Sequence, residues 1–216
     1  MHPHEQSIRV HPTALVGEGS QLGQGVIVGA YATIGLLEGV APDLPAPRIG
    51  DRCVIGHHCV IERGAVLETD VQLDPYSRVA NAFIGNGTRL LYGARVHEDV
   101  AIGQDCRIAG NCPDRTVIGD CVTHLGKIAH GGYWPFLDWD EPKEVAPVIG
   151  SRVLIATDAL LIGPIRIGSN VFIFPREIVR QDVPDDGIFR NGAFYRMPGW
   201  PRYLGVVGMV KEGWRK

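Results

Sequence analysis

VIGSRVLIATDALLIGPIRIGSNVFIFPREIV, residues 148–179, fixes the reading of the whole chain. Aliphatic residues return every sixth position at Ile149, Ile155, Leu161, Ile167, Ile173 and Val179. Four places after most of them comes a small or β-branched residue: Val153, Ala159, Ile165 and Val171. A helix of 3.6 residues per turn drifts off a six-residue period, so it cannot hold these positions on one face. A parallel coil with three short extended sides per turn can hold them, each side taking about six residues. The predicted fold is therefore all-β, a coil of stacked repeats.

The same beat runs backward through the chain. It begins at Val10, passes through Val16, Leu22, Val28 and Ile34, and breaks at GLLEGVAPDLPAPR (35–48), whose prolines cannot sit inside a ladder. It resumes from Ile49 to Val79, slips by one residue, and continues from Ile84 to Ile108. The interruption NCPDRT precedes Ile118, and a second long insertion occupies 131–147. Residues 1–9 read as a polar lead-in, 10–185 as the β-helix domain, and 186–216 as a C-terminal tail and cap. In that tail Tyr203, Leu204, Val207 and Val210 can share a helical face.

The 216 residues suffice for one continuous core, and 28 glycines with 15 prolines suit an architecture that turns every few residues. A net charge of −3 without a basic stripe argues against nucleic acid as a partner. No apolar run reaches the ~18 residues needed to span a bilayer, and the first residues lack a signal-peptide core, so the cytoplasm is the expected compartment. Of the five cysteines, Cys53, Cys59, Cys106 and Cys112 fall at the small-residue position of the repeat and read as buried fillers; Cys121 does not. No metal site is expected from them, since no pair has the two-residue gap of a zinc knuckle.

Among about 25 beats, two consecutive ones are not aliphatic: His124 and His130. His130 lies at the mouth of the second insertion, between Ala129 and two glycines that give the chain room to project. Imidazole in place of aliphatic lining makes both candidates for proton transfer, His130 first, with a buried or turn-capping histidine as the alternative. If Leu125 rather than His124 takes the inward beat, His124 moves toward the surface. His97 follows the beat at Val96 and is placed outward near a corner, either as a solvated surface residue or as one that reaches a neighbouring subunit's cleft. The insertion carries Tyr133, Trp134, Phe136 and Trp139, costly to expose, so they pack on the coil or cover a ligand. Trp134, Asp138 and Asp140 are the candidates there for binding a substrate.

VGEGSQLGQGVIVGAYAT (16–33), IGDRCVIGHHCV (49–60) and IGSRVLIATDAL (149–160) together resemble the hexapeptide-repeat acyltransferases, and the likeness extends over roughly residues 10–185. The resemblance implies a left-handed parallel β-helix, against the usual hand of parallel crossovers. It also implies a homotrimer with clefts between adjacent coils, moving an acyl group from acetyl-CoA or another acyl-CoA, or from an acyl carrier protein, to an amine or hydroxyl. The loop with His130 and the phrase IVRQDVPDDGIFRNGA (178–193) are similar to the branch acting on sugars and antibiotics. The small acceptor expected is thus a sugar or nucleotide sugar. By the same resemblance the Ala156 N–H is the candidate contact for the thioester or pantetheine arm, with Arg176 and Arg180 the nearest cations for the cofactor phosphate. Where acetyl-CoA binders usually carry Gly-Ala-Gly-Ser, this chain has Phe174, Pro175, Arg176 and Glu177.

Three other readings stay open. A branch resembling γ-class carbonic anhydrases holds zinc with three histidines, which His97, His124 and His130 can supply. A non-catalytic binding scaffold uses the same coil. VHPTALVGEGSQLG (10–23) resembles the N-terminal coil of lipid A acyltransferases, which favours a carrier-protein donor.

Overall fold

The computed structural model describes residues 7–36, 43–131 and 146–197. Those residues wind into a left-handed parallel β-helix of about nine turns. Nearly every side of a turn is a two-residue strand, such as Val54–Ile55, Val60–Ile61 and Val66–Leu67. The first residue of each pair points out and the second points in, as the period-two geometry of extended chain requires. Each strand pairs in parallel with its counterpart one turn on, so that three walls, here A, B and C, are built.

The inward positions stack into three aliphatic columns. Wall A carries Val28, Ile55, Leu73, Leu90, Ile108, His124, Ile155 and Ile173 in register. Wall C runs from Ile49 through Leu67, Ile84, Ile102, Ile118 and Ile149 to Ile167. This is a single continuous core, as expected from a repeat whose turns cannot bury their own faces alone. Many corners place a non-glycine residue in the left-handed region, among them Tyr31 (φ 58°), His58 (φ 57°) and Tyr76 (φ 64°). These three rings stack on one another up one corner, at centroid separations of 5.1 and 4.9 Å. The stacking offsets part of the left-handed strain.

Wall B departs from the others. It is split into a six-stranded section ending at Asn111–Cys112 and a three-stranded section beginning at Lys127–Ala129. The split has a cause in the sequence. Two successive corners are short, because the inward beat after Ile108 falls at Cys112 and the one after His124 falls at Ile128. NCPDRT therefore does not interrupt the coil: Cys112 takes an inward beat opposite Val96. The reading of His130 as a beat is corrected by the same observation. Ile128 is the buried residue, in register with Leu161, and His130 falls two places later, outside the lining.

Cys53, Cys59, Cys106 and Cys112 are all fully buried, as the filler reading requires. Burial pushes the Cys53 and Cys59 thiols up to about 11, and those of Cys106 and Cys112 up to about 12. The described part of the C-terminal tail is a β-hairpin. Gly187–Arg190 and Ala193–Arg196 form an antiparallel hairpin that adds to wall A. Its Phe189 continues the wall A column beyond Ile173. The proposed helical face at Tyr203–Val210 lies outside the described residues. No helix among the described residues is long and apolar enough to cross a membrane.

Candidate active site

At the corner after wall B, three successive turns bring polar side chains into one cluster. The first turn supplies His97, the second Asn111 and Asp114, the third His130. His130 Nε2 donates to the Asp114 carbonyl oxygen at 3.0 Å. A carbonyl can only accept, so Nε2 is the protonated nitrogen in this bond. His97 Nε2 donates to Asn111 Oδ1 at 2.6 Å, and His97 Nδ1 lies 3.8 Å from Asp114 Oδ1. The same carboxylate oxygen accepts the Glu98 backbone N–H at 3.1 Å, which holds Asp114 in place. Asp114 thus touches both histidines, one through its side chain and the other through its backbone.

His124 is elsewhere. Its ring stands inside the coil, fully buried, between Ile108 and Ile155. Leu125 beside it is exposed, so the inward position belongs to the histidine. Neither ring nitrogen has a hydrogen-bond partner among the described residues. Burial pushes the imidazole down to about 4, with the Asn111 backbone opposing only in part. A neutral ring sealed in an aliphatic column cannot exchange a proton with a substrate outside it. The three-histidine reading also loses its geometry, since His97 and His130 lie outside the coil and His124 inside. No group of three His, Cys, Asp or Glu side chains among the described residues gathers at metal-binding spacing.

The remaining candidates are placed as follows. The Ala156 N–H donates to the Ile173 carbonyl at 3.1 Å as a rung of wall A, and Ala156 is buried. That amide is already engaged by the coil, so the resemblance-based thioester contact does not fit it. Arg176 occupies a left-handed corner (φ 63°) and is exposed, while Arg180 follows the wall B beat at Val179, two turns above His130. Phe174 packs on Phe172 with centroids 4.5 Å apart, and the Arg190 guanidinium lies 5.0 Å from its ring centre. The place of the usual small residues is thus filled by an aromatic ring under the C-terminal hairpin. Trp134, Asp138 and Asp140 lie outside the described residues.

Asn111 and Asp114 were not singled out from the sequence. The signal for them was the period itself: once the short corners are counted, Asp114 falls 16 residues before His130 and directly beneath it.

No family model matches the chain. It is 26% identical over 166 residues to the bifunctional protein GlmU of Acidithiobacillus ferrooxidans, covering 68% of this chain and 36% of that protein. It is 28% identical over 177 residues to GlmU of Aromatoleum aromaticum, covering 67% and 38%. The chain therefore spans little more than a third of the length of these curated relatives. Among solved structures, the UDP-N-acetylglucosamine acyltransferase of Francisella novicida matches with a TM-score of 0.54 at 15% identity, over 83% of this chain and 65% of that one. That likeness shows the fold.

Proposed function

We propose, from the repeat pattern and the chain's likeness to hexapeptide-repeat acyltransferases, that it moves an acyl group, acetyl by preference, from a coenzyme A thioester to a small acceptor. The acceptor is an amine or hydroxyl of a sugar or nucleotide sugar, and His130 is the general base. The observation that carries the assignment is the bond from His130 Nε2 to the Asp114 carbonyl. It places a proton on Nε2, so in the neutral imidazole Nδ1 is the atom assigned to take the acceptor's proton. The acceptor N–H or O–H gives its proton to Nδ1 as its heavy atom attacks the thioester carbonyl. The tetrahedral intermediate then collapses with cleavage of the C–S bond, and the departing thiolate takes the proton back from His130. Acyl-acceptor and free coenzyme A leave, and the imidazole is neutral again.

Arg176 and Arg180 supply the cations for the cofactor's phosphates, on the turns above His130. Trp134, Asp138 and Asp140 are assigned to covering and binding the acceptor, on their sequence context alone. The site is completed between subunits of a trimer in the cytoplasm. The apolar residues Val66, Phe83, Ala101, Val117 and Val148 on the outer face of wall C support such packing, with Phe83 and Val117 each more than two-fifths exposed.

Steady-state kinetics with acetyl-CoA test the reading. His130→Ala is expected to lower kcat by about 10²–10⁴-fold with KM for acetyl-CoA nearly unchanged. Full turnover in that variant would overturn the assignment. One observation favours a second donor: Phe174, held under Arg190, fills the place where small residues usually admit the cofactor. An acyl carrier protein that supports turnover where acetyl-CoA does not would establish that donor instead.

A further inference from the structure

Most arginines along the walls of the coil are engaged. Arg52 pairs with Asp70, Arg89 with Asp74, and Arg78 with the buried Glu62. Two cations on wall B are not. Arg95 and Lys127 both occupy outward strand positions, both are exposed, and neither side chain has a hydrogen-bond or ion-pair partner among the described residues. Between them lies Asn111, one turn from each. Its Oδ1 is taken by His97 Nε2, which turns its NH₂ group, two further donors, away from the histidine. This is also where the wall B ladder is split, between Asn111–Cys112 and Lys127–Ala129. Lys127 is three residues before His130 on the same turn.

We infer that Arg95, Asn111 and Lys127 form a subsite for the diphosphate of a nucleotide-linked acceptor, placed so that its sugar reaches His130. Hydrogen-bonded turns stand about 4.8 Å apart, so two turns set these strands on the order of 10 Å from each other, one of the two steps being the split in the ladder. Side chains of these two lengths can span that gap to a group the size of a diphosphate, with Asn111 on the turn between them. Guanidinium and ammonium groups are the usual partners of phosphate oxygens, the first bidentate and the second as a point charge. The neighbouring Arg78 is excluded by its pairing with Glu62, which limits the site to one anionic group. The donor's phosphates have a different place, at Arg176 and Arg180, on turns above His130. The two substrates thus approach the base from opposite directions along the coil axis.

This inference deepens the proposed acyl transfer and shares its site, but its test needs no turnover. Binding of inorganic pyrophosphate, uridine diphosphate and coenzyme A is measured by calorimetry at low ionic strength. It is compared in the unaltered protein, in Arg95→Gln/Lys127→Gln and in Arg180→Gln, with thermal midpoints confirming that each variant folds. The double variant is expected to lose tenfold or more in affinity for pyrophosphate and uridine diphosphate while coenzyme A binding stays within twofold. Arg180→Gln is expected to do the reverse. Unchanged diphosphate binding in the double variant overturns the subsite. A parallel loss of coenzyme A binding there overturns its assignment to the acceptor and gives it to the donor. An active His130→Ala enzyme would remove the proposed base without altering any of these binding results.

Discussion

At His124 an imidazole occupies a position that the turns above and below it give to isoleucine. Two buried, unpaired ring nitrogens cost on the order of 1–3 kcal/mol. His124→Leu keeps the volume, restores the aliphatic stack and removes that cost. Urea unfolding at pH 7.5 should show a gain of about 1–3 kcal/mol, and kcat should be unchanged; a loss of activity with an intact fold would return His124 to the site. Acid sharpens the comparison. The folded ring is held down at about 4, against an ordinary value of 6.5, so the unfolded chain binds the proton first. Stability is therefore full above pH 6.5 and falls as pH drops toward 4, by roughly 3 kcal/mol in all. In His124→Leu this ring's contribution to the slope between pH 6.5 and 4 should disappear, which unfolding curves at pH 7, 5.5 and 4.5 would reveal.

At the scale of the turn, the short corner from His124 to Ile128 depends on Gly126. A Cβ there would stand 2.3 Å from the Ala159 carbonyl oxygen and 3.1 Å from that of Ala156. Backbone of the next turn cannot retreat cheaply, so Gly126→Ala is expected to cost about 1–3 kcal/mol. It should also lower kcat, because the strand that leads into His130 starts one residue later. An unaltered thermal midpoint would show that the corner is more compliant than this packing implies. The corner also marks the limit of what the sequence discloses. A six-residue period is visible wherever an aliphatic residue marks it, and His124 was found by its failure to be one. A corner shortened to four residues leaves no comparable mark. Counting by sixes therefore carried the beat on to His130, when the buried residue was Ile128. The same shortening hid Asn111 and Asp114, whose importance comes only from standing one turn beneath His130. Arg95 and Lys127 carry no mark in the sequence that sets them apart from other cations. A lack of partners is a property of three dimensions.

For the whole molecule, wall C presents an outward stripe centred on Phe83 and Val117, flanked in the same wall by Arg48 and Arg166. A stripe of that composition is expected to be covered by other copies of the chain. Sedimentation equilibrium should then give a mass near three times 23.5 kDa. Phe83→Glu should shift it toward the single-chain mass and reduce turnover, since the site is proposed to be completed between subunits. A monomer in the unaltered protein would contradict both expectations. At the C-terminal end, the hairpin with Phe189 covers the last turn of wall A, so removing residues 187–197 should expose the Ile173 column and lower the thermal midpoint.

Stacked turns of near-constant height make the coil a graduated ruler. Lys127 and His130 stand at one mark, Arg95 two marks below and Arg180 two marks above. With the ligands held as proposed, their length along the axis is measured in whole increments of about 4.8 Å, and not by the contour of a single pocket. Gaining or losing one turn would change the permitted length by one increment and leave every local contact within a turn as it was. Selectivity for substrates of different reach is then altered by counting turns, with no need to reshape the residues that perform the chemistry.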